Sequence, residues 1–424
     1  MGSRFQILQT TLEGGERLPS LLAPNGTIPF LPAYYVVSMC RPRDSANTIT
    51  VKLTAIKILY EWAAIKGINL KDRFQSGKML NGTERDNLVH VCRLQFNTYI
   101  ARQEARESKG ASPVVKIGGN AMKTVEHATS TQRIHYIADY LEWMGAELIK
   151  NIDRYRPEYE QLNEARERFV GEFRLRSVRR IANSRSRSNP PRGFSKEVQD
   201  RIKAVIEPNH PDNPWKNEFV QLRNQLYVTM CLAFGLRVGE SLCIKLPDVK
   251  LTGNSPRIEI VRRPDDPEED RNPAPQVKTL PRPLPLNSNQ EKSWAPLIHR
   301  FLNKYRKRLK KARKHSFFFV ARDGEKLSYN SAITIFKTLR KVDGVPDYLT
   351  QHLVRHACNE RFSENAQALQ MPEGDVREAR RQLMGWSAGS KMPELYNQPF
   401  IKKRADEVSM EMQNEIFKDR KLKK

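Results

Sequence analysis

Residues 233–249 read Ala-Phe-Gly-Leu-Arg-Val-Gly-Glu-Ser-Leu-Cys-Ile-Lys-Leu-Pro-Asp-Val, and this stretch decides how the second half of the chain folds. The apolar segment before it, residues 221–234, predicts a buried core helix that ends at Gly235. A new helix with Glu240 in its first turn follows, so Arg237 lies between two helices. There a guanidinium, with its planar fork and permanent charge, suits a phosphate. A purely structural pair with Glu240 is the alternative interpretation.

A second motif, residues 351–362, places His352 and Arg355 three positions apart. On a helix this spacing puts both side chains on one face, where they can approach one phosphate together. Most histidine and arginine pairs at this spacing are structural, so the motif indicates phosphate chemistry only in combination with others.

The charge balance indicates a polyanionic partner. The chain has 424 residues, with 73 Lys and Arg against 48 Asp and Glu, for a formal net charge of +25. A merely solubilising surface is the alternative, but it predicts no clustering. Residues 174–192 hold seven arginines and no acid, and they end in Pro190-Pro191-Arg192.

We interpret this basic segment as an extended strap that follows a DNA backbone between two lobes; a basic linker without specific role is the alternative. The arginines predicted to contact DNA are Arg174, Arg176, Arg179, Arg180, Arg185 and Arg187.

The sequence also argues against a membrane protein, a secreted protein and a protein held by disulfides or zinc. No apolar run is long enough to span a membrane, so we expect no membrane partner, and residues 1–10 lack the features of a secretory signal. The five cysteines are scattered and form no Cys-x-x-Cys pair, which argues against a disulfide framework or a zinc site. We therefore expect a protein of the reducing cytoplasm.

Apolar periodicity predicts the secondary structure along the chain. In the first half we expect an irregular, partly β-structured segment over residues 1–45 and helices over 48–66, 84–107 and 130–151, the last capped by Ser130 or Thr131. After the basic segment we expect a helix capped by Ser195, strands at 258–261, 276–279, 284–286 and 317–320, a basic helix over 299–314, and a helix opening at Ser328. Whether the basic helix touches DNA or only faces solvent stays open.

Three separated motifs together resemble a known family. Gly-Leu-Arg-Val-Gly-Glu at 235–240, His-Leu-Val-Arg-His at 352–356 and Leu-Met-Gly-Trp at 383–386, with Tyr396 ten positions after Trp386, resemble the signature boxes of the tyrosine recombinases, or phage-type integrases. The resemblance covers residues 195–405 well; residues 46–170 only suggest the helical core-binding domain. It implies a mainly α fold with a small antiparallel β-sheet, in which a core-binding domain precedes the catalytic domain.

The predicted domain limits follow from the resemblance and the composition. We expect an N-terminal arm (1–45), a DNA-binding core-binding domain (46–172), a basic linker (173–193), a catalytic domain (194–405) and a C-terminal helix or tail (406–424). In related recombinases such a tail docks on a neighbouring protomer; packing on its own domain is the alternative.

The resemblance also implies a role for each site residue. Arg237 and Arg355 would hold the nonbridging oxygens of the scissile phosphate, and His352 would assist by hydrogen bonding or proton transfer. Trp386 stands where many members have histidine, and its indole N–H donates to phosphate but cannot shuttle a proton.

Tyr396 would be the nucleophile that forms a 3′-phosphotyrosyl bond, with nearby cations favouring its phenolate form. Lys278 matches the lysine that members carry on a β-hairpin to protonate the leaving 5′-oxygen, although Arg282 lies close by and such hairpins align loosely.

Two features depart from the family pattern. The interval from Trp386 to Tyr396 is one residue longer than we expect, and Pro393 falls inside it. The acidic segment 265–270 lies in the predicted hairpin region, so it must be held away from DNA.

The resemblance implies a site-specific recombinase of the bacterial cytoplasm or nucleoid that needs neither ATP, metal nor another cofactor. Its partners would be a double-stranded DNA target, further copies forming a tetramer on two sites, and accessory proteins in some systems. Two alternatives stay open: a type IB topoisomerase that relaxes DNA, and a DNA-binding protein that has kept the fold and lost the chemistry.

Overall fold

The computed structural model describes residues 4–107, 122–176, 193–253, 255–287 and 293–421. The chain is mainly helical, with two small antiparallel sheets, which confirms the predicted fold class. It divides into two compact units, Met1–Ala182 and Asn183–Lys424. Within the described ranges, no helix is both long enough and apolar enough to cross a membrane.

The first unit is a helical body with a β-hairpin. Its elements are β1 (Gln6–Thr11), β2 (Arg17–Leu22), α1 (Phe30–Tyr35), α2 (Ala46–Ile65), α3 (Leu70–Gln75), α4 (Gly82–Arg93), α5 (Phe96–Glu107), α6 (His127–Ile149) and α7 (Pro157–Leu175). A π-helical turn, Val36–Cys40, follows α1. Side chains cap several helices: Ser45 accepts from the Thr48 N–H at the start of α2, and Asn81 forms a capping box with Glu84 on α4.

Residues 4–45, the described part of the segment that we predicted as a separate arm, pack into this first unit. The hairpin contributes Leu21, α1 contributes Tyr35 and the π-helical turn contributes Val36 to the same hydrophobic core as α2 and α6. The Tyr35 ring lies 5.3 Å from that of Tyr140 on α6. The short apolar runs of this segment are therefore part of a shared core.

Two helix predictions in this unit were wrong in detail. The single helix over 84–107 is two helices, because Leu94 is extended and pairs with Thr124 in an isolated bridge. The helix expected from Ser130 begins at His127 instead. Ser130 lies in its first turn, where its hydroxyl donates to the His127 carbonyl and does not cap the helix.

The second unit carries the three motifs. Its helices are α8 (Lys196–Val205), α9 (Glu218–Phe234), α10 (Val238–Cys243), α11 (Trp294–Arg300), α12 (Tyr329–Leu339), α13 (Gln351–Ala368), α14 (Glu373–Met384) and α15 (Met392–Lys421). The strands β3 (Val249–Lys250), β4 (Arg257–Ile260) and β5 (Arg282–Pro285) form one antiparallel sheet, with Val249 opposite Ile258 and Ile258 opposite Leu284. Ser195 and Ser328 cap α8 and α12 as predicted.

The buried helix α9 organises this unit. It packs against α13 and ends at Gly235, whose φ of 60° is the left-handed conformation that glycine adopts without strain. The buried Tyr227 hydroxyl donates to the Gln351 side chain, at 2.9 Å, and Gln351 donates in turn to the Leu236 carbonyl, also at 2.9 Å. These bonds fix the start of α13 to the junction that follows α9.

Three predicted elements of the second unit differ from the structure. Residues 276–279 are irregular, and the strand that pairs with β4 lies a few residues later, at Arg282–Pro285. Residues 317–320 form only two isolated bridges, Lys245 with Phe317 and Val320 with Lys326. The helix expected over 299–314 breaks after α11 into π-helical and 3-10 turns. The buried Arg306 guanidinium donates to the carbonyls of His315 and Phe317, and these bonds turn the chain back.

Most carboxylates of the acidic segment 265–270 form ion pairs with Lys or Arg side chains of this unit. Lys245 Nζ lies 2.8 Å from Asp266 and 2.9 Å from Glu268, and Lys326 Nζ lies 2.8 Å from Asp270. Arg271 pairs with Glu269. Four of the five carboxylates of this segment are thus paired with cations of the second unit.

One predicted domain boundary lies mostly outside the described residues, and another falls inside a helix. Of the basic linker, residues 177–192 lie outside the described residues. The limit between 405 and 406 falls inside α15, so Tyr396 and the predicted tail share one continuous helix. The domain limits themselves stay predictions.

Candidate active site

Arg237 lies at the junction between α9 and α10, as its motif predicted. It is the N-cap residue of α10, in an extended conformation just after the left-handed Gly235. Its backbone N–H donates to Glu240 Oε2 at 2.9 Å, and its Nη1 lies 3.4 Å from Glu240 Oε1. The structural pair with Glu240 therefore exists, but 32% of the Arg237 side chain stays exposed for a further anion.

Arg355 reaches the same place from α13 and is almost completely buried. Its side chain is 1% exposed; Nη1 donates to the Gly235 carbonyl at 2.5 Å and Nη2 to the Met384 carbonyl at 3.1 Å. Burial lowers the pKa of the guanidinium to about 10, so it stays charged at neutral pH. Arg355 Nε has no hydrogen-bond partner among the described residues, which leaves a donor for a phosphate oxygen.

Glu240 is the anionic centre that joins three arginines. Its side chain is fully buried; Arg282 contacts both carboxylate oxygens, at 3.3 and 3.1 Å, and Arg355 Nη1 lies 3.8 Å away. The Thr279 hydroxyl donates to Oε1 at 2.5 Å. Burial alone would raise the pKa of Glu240, but the charges of Arg282 and Arg355 hold it below its ordinary value, so the carboxylate stays ionised.

Tyr396 lies in an aromatic cluster beside these arginines. Its ring stacks on Trp386 at a centroid distance of 5.3 Å and lies 4.8 Å from the ring of His356. The Arg355 guanidinium lies 5.6 Å from the Trp386 ring centroid. Trp386 Nε1 has no partner among the described residues, so it is a buried N–H donor without an acceptor.

One electrostatic expectation for Tyr396 was wrong. We expected the neighbouring cations to favour the phenolate, but the side chain is only 6% exposed and burial raises its pKa above the ordinary value of 10.0. The opposing charges of Arg355 and Arg237 do not compensate for this burial. The Tyr396 phenol is therefore protonated and covered in the protein alone.

His352 lies one helical turn before Arg355, partly exposed on α13. Its ring lies 4.5 Å from that of His356, nearly perpendicular to it. Burial of part of the ring lowers the pKa of His352, and the charges of Arg355 and Arg237 lower it further. The imidazole is neutral at physiological pH and so able to accept a proton.

Lys278 has the weakest structural link to this cluster. Its segment packs closely on α10, where a Cβ on Gly239 would lie 2.1 Å from the Gln276 carbonyl oxygen, and the adjacent Thr279 contacts Glu240. The Lys278 side chain itself is exposed and makes no ion pair or hydrogen bond with any described residue. The structure places it beside the cluster as a free ammonium.

The longer interval before Tyr396 does not disturb the site. Gly385 ends α14 in the left-handed conformation, and Pro393 is the second residue of α15. A proline in the first turn of a helix lacks only an N–H that would have no helical partner. The extra residue is therefore accommodated before α15 begins.

The sequence interpretation missed Glu240 as a shared partner, and it missed Arg282 and His356. Arg282 was noticed only as a competitor of Lys278. Of the arginines predicted to contact DNA, Arg174 is 2.6 Å from Asp139 and 2.7 Å from Glu142, and Arg176 pairs with Asp86. Arg179, Arg180, Arg185 and Arg187 lie outside the described residues.

The buried His356 makes stability depend on pH. Burial and the nearby His352 and Arg355 lower its pKa from 6.5 to about 4. Between these values the unfolded chain binds a proton that the folded protein does not, so we expect the free energy of unfolding to fall as the pH drops through this window. Urea unfolding at stepwise pH should show a shallower dependence in His356→Phe than in wild type or in the surface variant His299→Phe. Equal slopes in all three proteins would contradict the assignment.

Comparison with known proteins agrees with the motifs. Residues 209–400 match the family model described as the phage integrase family. A search of curated proteins finds no relative of this chain.

Several solved structures resemble the chain at low identity. The XerH site-specific recombinase in a post-cleavage complex with a palindromic difH substrate has 14% identity and a TM-score of 0.40, covering 78% of this chain and 85% of its own. The Tn1549 transposon integrase with transposon right-end DNA has 12% identity and a TM-score of 0.43, covering 88% and 98%. A lambda integrase dimer on a COC′ core site has 11% identity and a TM-score of 0.32, covering 92% and 93%.

These TM-scores are low, so the assignment rests on the family match and on the motifs. The matched segment contains the left-handed turn at Gly235, the Glu240 centre and the stacked Trp386 and Tyr396. Residues 209–400 of the chain belong to the phage integrase family, the tyrosine recombinases.

Proposed function

We propose that the chain is a site-specific DNA recombinase that cuts and rejoins strands through a covalent 3′-phosphotyrosyl intermediate. The observation that carries the proposal is the position of Tyr396: it stacks on Trp386, in the cluster that holds the buried Arg355. A phosphodiester at this cluster would meet two guanidiniums, an indole N–H and a phenol at once.

In the proposed cleavage step, Arg237 and Arg355 bind the nonbridging oxygens and stabilise the charge of the pentacoordinate transition state. The Tyr396 oxygen forms a bond to phosphorus while the bond to the 5′-oxygen breaks. The phenolic proton passes to a base, for which the neutral His352 is the candidate, and Lys278 supplies a proton to the leaving oxygen. Attack by a 5′-hydroxyl of another strand reverses the step and restores the phosphodiester.

The covered and protonated state of Tyr396 has a consequence for this mechanism. A phenol with a raised pKa is a poor nucleophile, so the protein alone should be inert. Phosphate binding must both uncover the ring and bring a base to the hydroxyl. We propose that activation occurs only in the assembled DNA complex, which would be a tetramer on two sites.

The role of Lys278 is open to a direct chemical test. Lys278→Ala should slow cleavage by about two to three orders of magnitude, because an unprotonated 5′-oxygen is a poor leaving group. A substrate with sulfur in place of the bridging 5′-oxygen needs no proton on leaving, so on this substrate the defect should shrink to roughly tenfold or less. The rates are measured in single-turnover cleavage of both substrates.

Lys250→Ala is the matched control, since Lys250 is an exposed lysine of the adjacent sheet, paired with Glu259. It should cleave both substrates at the wild-type rate. A Lys278→Ala defect of the same size on the sulfur substrate would remove Lys278 from the role of acid.

Binding to DNA should depend steeply on salt. If both units contact phosphates, the affinity should fall by about a thousandfold or more between roughly 50 and 200 mM salt, because each neutralised phosphate releases counterions. Fluorescence anisotropy with a labelled target duplex measures this change. A salt-insensitive affinity would argue against a two-lobed DNA clamp.

A plasmid assay separates recombination from simple relaxation. A recombinase should leave supercoiled plasmid without target sites unchanged and should exchange strands between two plasmids that carry them. Efficient relaxation of the site-free plasmid without recombination would assign the chain to topoisomerase chemistry instead.

A further inference from the structure

A cavity of about 600 Å³ lies among α13, α14 and α15, and no step of the proposed reaction uses it. Its apolar walls come from Ala366, Met371, Val376 and Ile401. Its polar lining includes Ser363, Arg380 and Asn397. The volume suits a small organic molecule.

Arg380 is the unusual member of this lining. It is 1% exposed; its Nη2 donates to Ser363 Oγ at 2.5 Å and to Asn397 Oδ1 at 3.5 Å. The guanidinium lies 5.1 Å from the centroid of the Phe362 ring, and its Nε has no hydrogen-bond partner in the described part of the chain. No carboxylate of the described residues forms an ion pair with it.

Other buried arginines of this unit have partners that Arg380 lacks. Arg282 and Arg355 lie beside the ionised Glu240. Arg306 has no carboxylate partner among the described residues, but its Nε and Nη2 both donate to backbone carbonyls. Burial lowers the pKa of Arg380 to about 10, which still leaves it protonated at neutral pH. A buried charge without a counter-ion is strongly destabilising, so an anion in the adjoining cavity would relieve the cost.

The surroundings of Arg380 restrict the kind of anion. The apolar walls favour a ligand with an aliphatic body. Glu373 and Arg404 also line the cavity and carry opposite charges, so with Arg380 the lining has one net positive charge, which suits a ligand with a single negative charge. A carboxylate matches the planar fork of a guanidinium.

We propose that this cavity binds a small organic monocarboxylate, with its carboxylate on Arg380 and its aliphatic body against Met371, Val376 and Ile401. Asn397, which accepts from Arg380, directly follows Tyr396 on α15. If the proposed function holds, the ligand would influence the helix that carries the nucleophile. Binding itself does not depend on the chain being a recombinase.

Isothermal titration calorimetry of the full chain tests the proposal, with hexanoate as the probe and hexan-1-ol as its neutral match. Wild type should bind hexanoate saturably and hexan-1-ol at least about tenfold more weakly, the effect of one charge-assisted contact. Arg380→Met, which keeps an unbranched apolar side chain, should weaken hexanoate binding by about tenfold or more. Arg237→Ala, which disrupts the other anion site, should bind hexanoate as wild type does.

A second cavity variant distinguishes a loss of binding from a folding defect in Arg380→Met. Gln367 is exposed at the edge of the cavity, so Gln367→Trp should fold normally and obstruct entry. Three outcomes would each overturn the proposal: no saturable binding by wild type at millimolar hexanoate, unchanged binding in both cavity variants, or loss of binding in Arg237→Ala. Self-association that requires Arg380, without hexanoate binding, would assign the cavity to a second copy of the chain and also overturn it.

Discussion

Tyr396→Phe should abolish covalent attachment of the protein to its DNA target, with cleavage reduced by about four orders of magnitude or more. The substitution removes only the nucleophilic oxygen. Phenylalanine keeps the ring that stacks on Trp386 at 5.3 Å and contacts His356 at 4.8 Å, so the cluster should stay packed. The measurement is formation of a denaturation-resistant adduct on a nicked target duplex.

Two controls keep this result interpretable. DNA affinity of Tyr396→Phe should stay within about threefold of wild type, because the guanidiniums that bind the phosphate are unchanged. Tyr348→Phe alters the exposed tyrosine that precedes α13 and should form the adduct normally. An adduct that persists in Tyr396→Phe would show that another residue attacks the phosphate.

Glu240→Gln should lower the free energy of unfolding by about 3 to 5 kcal/mol, because it leaves the buried Arg282 and Arg355 without their shared carboxylate. The side chain keeps its shape, so the loss reports the missing charge. Catalysis should fall as well, since Arg355 and Arg237 would repel each other without the anion between them. Urea unfolding and single-turnover cleavage measure the two effects.

Glu378→Gln is the matched control for the loss of a carboxylate. Glu378 pairs with Arg381 on α14, but its side chain is 47% exposed. Solvent screens such pairs, so this variant should unfold at nearly the same urea concentration as wild type. A loss equally small in Glu240→Gln would mean that the carboxylate does not hold the three arginines together.

The sequence predicted those features that depend on local patterns. The end of α9 at Gly235 and the serine caps of α8 and α12 follow from the residues at each helix terminus. The cluster of Arg355, Trp386 and Tyr396 was predicted from the family resemblance alone, because nothing in the spacing of these residues specifies that they meet.

Features that depend on contacts between residues far apart in the sequence could not be predicted from local patterns. The Arg306 guanidinium breaks the basic helix by donating to carbonyls 9 and 11 residues away, which an apolar period does not reveal. The packing of residues 4–45 into the first unit was not evident from their own sequence, because Leu21 and Tyr35 complete a core built by later helices. Burial of Tyr396 likewise arises from α13 and α14, so charge counting alone gave the wrong direction for its pKa.

The central claim is that Tyr396 becomes covalently joined to a 3′-phosphate of DNA. The most direct test is mass spectrometry of the protein trapped on a nicked target duplex and digested with protease and nuclease. We predict one modified peptide, with the nucleotide on Tyr396. Attachment to any other residue, or the absence of an adduct on a duplex that the protein binds and recombines, would contradict this account.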